Sequence, residues 1–170
     1  MSYGLAYGLS AFGLSQQLDI SPGEASALME KYYLRFGGIR DYLATVVKQA
    51  KKDGYTETLM GRRRYLPDLQ SDNKFKRDIA ERAALNAPIQ GTAADIIKLA
   101  MLRVDAAMKT AKLKSRLLLQ IHDELLFEYV DSERDQLIEL VKQEMGAAYP
   151  LKVALSVNIG HGKSWHAAEH

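Results

Sequence analysis

Leu117-Leu118-Leu119-Gln120-Ile121-His122-Asp123-Glu124-Leu125-Leu126-Phe127-Glu128 sets adjacent carboxylates between two apolar runs. Each run is too short for a helix of its own and rich in strand-compatible residues, so the stretch reads as a β-hairpin turning near Asp123. Neither Asn-Gly nor Asp-Gly occurs there, so the turn is not chosen for backbone ease. Asp123 beside Glu124 sets like charges against each other, a conflict relieved by taking up a proton or recruiting a cation. Oxygen donors in a chain without cysteine favour magnesium or manganese over zinc. One or two carboxylates completed by substrate phosphates is the usual magnesium arrangement. A solvated acidic turn is the other reading of the same residues, because aspartate is common in turns.

Downstream of this hairpin, Leu137, Val141 and Met145 mark a helix from about Ser132 to Ala148. Val153, Leu155, Val157 and Ile159 then alternate with Ala154, Ser156 and Asn158, the pattern of a half-buried antiparallel strand. Gly160 to His170 reads as loop and tail. Upstream, Ile97, Met101, Val104 and Met108 form the buried stripe of a helix that Thr92-Ala93-Ala94-Asp95 would start as a capping box. Lys74 to Ala87 reads as a separate helix, which Pro88 should end or kink by removing a backbone donor. Tyr55 to Leu59 and Arg63 to Leu66 suit a short hairpin across Met60-Gly61. Ser21-Pro22-Gly23-Glu24 opens a helix to about Phe36, Gly37-Gly38 interrupts, and Ile39 to Lys52 continues as helix. Helices packed on a small antiparallel sheet define an α+β fold.

A chain of 170 residues can bury roughly two-thirds of its unfolded surface, enough for one domain with a real core. Its formal charge of +2 does not mark a nucleic-acid binder, but Lys48 to Arg82 holds ten Lys or Arg against six Asp or Glu. That stretch could follow phosphates or be an ordinary solvated face. The absence of cysteine excludes a disulfide framework and a thiolate metal site, and is compatible with a reducing cytosol. The apolar runs are too short to span a bilayer. The uncharged opening from Met1 to Leu18 lacks the basic start of a signal peptide. It enters a helical apolar pattern without a convincing cap, as though cut from something longer.

Spacing singles out two further sets. Tyr3 and Tyr7 would share one helix face, suited to packing on a sugar or base, or to a pair of core tyrosines. Arg82, Asn86 and Gln90 recur every four residues and could project a polar row fit for minor-groove acceptors and sugar oxygens, with the last placed only approximately across Pro88. The alternative for Arg82 is pairing with Asp78. Arg62, Arg63 and Arg64 could meet phosphates or form an ordinary basic hairpin.

The hairpin resembles motif C of the family A DNA polymerases, the bacterial DNA polymerase I type. Ser2-Tyr3-Gly4-Leu5-Ala6-Tyr7-Gly8 looks like the end of that family's motif B. Thr58 to Pro67 and Glu81 to Asp95 are similar to two further segments, so the resemblance covers essentially the whole chain. It implies a DNA-directed DNA polymerase serving replication and repair, with residues 1–53 closing motif B and the fingers helices and 54–170 forming the carboxyl-terminal palm. By the same resemblance, Asp123 matches the second metal-bridging aspartate, Glu124 the adjacent acid, and His122 a primer-backbone contact. Tyr3 lies beside the incoming sugar, where tyrosine goes with acceptance of dideoxynucleotides. Tyr7 checks pair shape, and Arg82, Asn86 and Gln90 check the minor groove. The implied partners are primer-template DNA, deoxynucleoside triphosphates and Mg2+ or Mn2+, in a cytoplasmic, nucleoid-associated enzyme without a membrane. Motif A, the basic half of motif B and the thumb have no counterpart here, so the chain by itself is expected to be inactive. A non-catalytic primer-template binding module is the alternative, and an unrelated metal-dependent phosphohydrolase a remote third.

Overall fold

A computed structural model describes residues 9–168. In chain order they form α1 (Ala11–Leu18), α2 (Pro22–Arg35), α3 (Gly37–Asp53), β1 (Tyr55–Glu57), β2 (Arg63–Tyr65), a 3-10 turn (Pro67–Gln70), α4 (Lys74–Thr110), β3 (Arg116–Ile121), β4 (Glu124–Glu128), a 3-10 turn (Asp131–Glu133), α5 (Arg134–Gly146) and α6 (Trp165–Ala168). Helices with two small antiparallel hairpins make this the expected α+β class. The chain divides into two compact units, Met1–Thr92 and Ala93–His170.

In the first unit the local rules hold closely. Ser21 accepts from the Glu24 backbone N–H, and the Glu24 carboxylate accepts in return from the Ser21 backbone N–H, completing the capping box that starts α2. Those bonds hold the Glu24 carboxyl below its ordinary value. The break between α2 and α3 falls at Phe36, and Gly37-Gly38 begin the next helix instead of forming a gap. Gly54, at φ 79, ends α3 in the left-handed region where a side chain is disfavoured. Strand β1 then pairs with β2 in the register Tyr55↔Tyr65, Thr56↔Arg64, Glu57↔Arg63. Ala50, Leu66, Leu69, Ala80 and Ala84 form the core beneath, and Lys51 pairs with Glu81 at 2.6 Å.

The second unit is built around Val104, Met108, Leu137 and Val141, with Phe127 and Ile159 packed against them. Strand β3 pairs with β4 antiparallel from Arg116↔Glu128 to Ile121↔Glu124, with Leu118 inserted as an extra residue between Leu117↔Phe127 and Leu119↔Leu126.

Four further expectations are corrected. Pro88 does not end its helix: α4 runs through it for 37 residues. An interior proline costs about 3 kcal/mol when nothing offsets it. Here Ala84, Ala87 and Pro88 are all buried, and tertiary bonds just beyond the proline hold the helix. Thr92 is accordingly no cap. It lies inside α4, and its hydroxyl accepts the Leu59 backbone N–H at 3.0 Å. Residues 153–159 form no strand. Their alternation is real, with Leu155, Val157 and Ile159 half-buried and Ser156 and Asn158 exposed, but no ladder partner meets them among the described residues. Finally, the tail contains the short helix α6.

Candidate polymerase site residues

The expected site residues fall into three groups. Tyr3 and Tyr7 lie outside the described residues.

The second group lies on α4. Arg82, Asn86 and Gln90 all lie within this one helix, where ideal geometry would place each about 40° around the axis from the last. Arg82 is exposed and donates from Nε to the backbone carbonyl of Asp78 at 3.3 Å, so the anticipated pairing is with that residue's main chain. Gln90 is exposed. Asn86 is half-buried, and its Oδ1 is a buried atom without a hydrogen-bond partner. Leaving a buried polar atom unsatisfied costs about 1–3 kcal/mol, which makes Asn86 the member of the row whose structural explanation is weakest.

Next to Gln90, the β1–β2 hairpin is fastened to the helix. Arg62 donates from Nη2 to the Gly91 carbonyl at 2.9 Å. A Cβ placed on Gly91 would lie 2.7 Å from Thr58 Cγ2, so only glycine permits this approach. Arg63 binds Glu57 at 2.6 Å and lies over the Tyr55 ring at 4.5 Å. All three hairpin arginines are exposed, and Arg62 and Arg63 use their guanidinium groups in bonds within the fold. Gly91 and Thr92 were missed as fastening points because their partners lie 29 and 33 residues away in sequence.

The third group is the acidic turn. Ile121↔Glu124 is the last ladder pair, which leaves His122-Asp123 as a two-residue turn. His122 has φ 52. A left-handed conformation costs a non-glycine residue about 1 kcal/mol, but tight hairpins require it to match strand twist. Gln120 steadies the turn by donating from Nε2 to the His122 carbonyl. His122, Asp123 and Glu124 are all exposed, so the turn presents two carboxylates and an imidazole to the surroundings.

Among the described residues no group of three or more His, Cys, Asp or Glu gathers as a metal site. The two adjacent carboxylates are hard oxygen donors. They suit a magnesium ion that takes its other ligands from elsewhere, as that ion commonly does when phosphates complete its shell.

At its base the hairpin is fastened twice. Arg116 donates through Nε to Glu128 at 2.9 Å. Glu133 then gathers the Lys114 and Ser115 backbone N–H groups at 3.0 and 2.9 Å and the Ser115 hydroxyl at 2.7 Å. These bonds, Lys114 N–H first, hold the Glu133 carboxyl below its ordinary value.

The family model described as DNA polymerase family A matches residues 1–167. The chain belongs to DNA polymerase family A. DNA polymerase I of Mycobacterium leprae is 64% identical to this family A chain over 170 residues, covering all of the chain and 19% of that protein. DNA polymerase I of Bacillus subtilis is 47% identical over 169 residues, covering 99% of the chain and again 19% of the relative. A solved structure, the POL domain of Pol1 from M. smegmatis in complex with DNA primer-template and dNTP, matches with TM-score 0.97 and 65% identity. That likeness covers all of the family A chain and 30% of the solved one. The chain therefore spans a minor part of each relative. No helix among the described residues is long and apolar enough to cross a membrane.

Proposed function

We propose that the chain is the end of the fingers (1–53) and the carboxyl-terminal palm (54–170) of a DNA-directed DNA polymerase, with His122-Asp123-Glu124 at its reaction centre. The observation that carries this is the acidic turn itself: two adjacent carboxylates on a two-residue hairpin turn, exposed, in a chain of family A. Partners follow from the same reading and from the primer-template and dNTP of the M. smegmatis complex: here too, a primer-template duplex and deoxynucleoside triphosphates. The work of replication and repair would place such an enzyme in the cytoplasm, at the nucleoid.

The reaction joins the primer 3′ oxygen to the nucleotide α-phosphorus and expels pyrophosphate. Magnesium ions, when bound, would favour deprotonation of the primer hydroxyl and neutralise charge on the leaving group. Asp123 would hold the ions, and Glu124 would contact an ion or orient its neighbour. His122 would donate to the primer backbone and register its 3′ end. Arg82, Asn86 and Gln90 would meet minor-groove acceptors that every correct base pair presents, and so test pair geometry without reading sequence. Tyr3 would lie beside the incoming sugar and Tyr7 would check pair shape.

A second anchoring carboxylate and a triphosphate clamp would come from segments outside this sequence, consistent with the 19% of the relatives that it spans. By itself the chain would then extend no primer. The test is extension of a primer-template by the intact parent polypeptide beside its Asp123→Asn variant. The reading requires extension by the first and its loss in the second with duplex affinity retained; equal extension by both would refute it. Salt-sensitive duplex binding without any extension by the intact parent would instead favour the non-catalytic binding module.

A further inference from the structure

Glu133 occupies the N-cap position of α5 with helical backbone and makes no capping bond, so its side chain is free to serve another segment. Its carboxylate instead reaches back 18 and 19 residues. Both oxygens accept the Lys114 N–H at 3.0 Å, and Oε2 also accepts the Ser115 N–H and hydroxyl. Buried Ser115 extends the tie, since its Oγ accepts the Val130 N–H at 3.0 Å. Lys114 and Ser115 immediately precede β3, and Val130 follows β4. One side chain thus joins the two chain ends at the open base of the hairpin that carries Asp123.

Besides this tie the hairpin is held by Arg116 on Glu128, by Phe127 against the core and by Gln120 at the turn, but its register has three weak points. It is two-stranded, contains the extra residue Leu118 within its ladder, and turns through a non-glycine residue at positive φ. A two-stranded ribbon is marginal by itself, and a one-residue slip would send every side chain on one strand to the opposite face. Such a slip would exchange the directions of Asp123 and Glu124.

We propose that Glu133 is a positioning residue for nucleotidyl transfer: by closing the hairpin base through Lys114, Ser115 and Val130, it fixes the register in which Asp123 and Glu124 face the reaction. The proposal rests on the reading of that turn as the catalytic one. Every side-chain hydrogen bond that Glu133 makes among the described residues goes to those that lead into β3, which makes the hairpin base the object of its bonding.

The experiment uses the intact parent polymerase and compares Glu133→Ala with Glu133→Asp. The aspartate variant is a good helix cap but too short to reach Lys114, so it separates support of α5 from support of the hairpin. Expected for both is faster hydrogen exchange in peptides spanning residues 114–130 and a kcat lowered about tenfold or more, with KM for nucleotide and duplex Kd changed less than about twofold. Glu133→Asp forfeits the same bonds and should melt somewhat earlier than the parent, so kcat is compared well below both midpoints, where each protein is fully folded and a rate loss cannot be ascribed to unfolding. Unchanged kcat in Glu133→Asp would overturn the proposal, as would lowered kcat with unchanged exchange across the hairpin. An Asp123→Asn control that still extends primers would remove the underlying reading and the catalytic role of Glu133 with it. The exchange measurement would then still report whether the base is tied.

Discussion

The polar row on α4 and the acidic turn between β3 and β4 present functional side chains in opposite ways. Arg82, Asn86 and Gln90 ride on a 37-residue helix, held beside Gln90 by Thr92 and Gly91. Their spacing follows from helix geometry, with the ties from Leu59 and Arg62 beside Pro88. Asp123 and Glu124 sit at the tip of a two-stranded ribbon whose order depends on bonds at its base. On the proposed roles, a surface that would test duplex shape tolerates a rigid rod, whereas paired carboxylates that would meet ions and phosphates need an exposed tip. The difference predicts where each region breaks.

The contrast is sharpest in the core beneath each element. Leu137→Ala removes a buried residue from the cluster that includes Phe127 of β4, and should destabilise the second unit by about 2–4 kcal/mol, read as a lowered denaturation midpoint. Protection of residues 55–65 against hydrogen exchange should persist. Gly91→Ala attacks the other region. The new methyl would meet Thr58 Cγ2 at 2.7 Å, and such overpacking costs about 1–3 kcal/mol. Its signature should be loss of protection at Leu59 with residues 116–128 unaffected. Equal disturbance of both regions by either variant would contradict their separation.

A smaller effect should distinguish recognition from chemistry. Gln90→Ala in the intact parent should weaken duplex binding by about 1 kcal/mol while leaving the rate of a saturated, correctly paired complex nearly unchanged, as measured by titration and single-turnover extension. A large loss of rate at saturating duplex would make Gln90 part of the chemical step.

The smallest effect is a pair of acid limbs. Glu133 in one unit and Glu24 in the other are both held below the ordinary 4.5 by the hydrogen bonds they accept. A carboxylate whose folded pKa is depressed stabilises the fold fully above its unfolded value, and that contribution fades as pH falls toward the folded value. Each unit should therefore lose some protection below about pH 4.5. Glu133→Gln should flatten this dependence at residues 114–130 only, and Glu24→Gln at 21–25 only, as read by hydrogen exchange against pH.

What the sequence disclosed follows the reach of the interactions. The capping box at Ser21 and the hairpin around Asp123 are set by residues within a few positions of each other, and both are legible without a structure. The row on α4 is legible as spacing. Its continuity through Pro88 is not, because the ties that hold the helix there come from Leu59 and Arg62. Residues 153–159 show the complementary limit: alternation reveals which side chains turn inward, as Ile159 does, but strand pairing is a property of two segments. Glu133 gives no local signal at all, since its partners lie 18 and 19 residues earlier, at the other end of the hairpin's chain.

The central claim is that Asp123 anchors the ions of the reaction, and Mn2+ titration of the intact parent with primer-template and nucleotide bound, followed by electron paramagnetic resonance, tests it most directly. About two tightly held ions are expected per complex, with at least one lost in Asp123→Asn while duplex affinity stays unchanged. An undiminished count of bound ions in Asp123→Asn would contradict the claim.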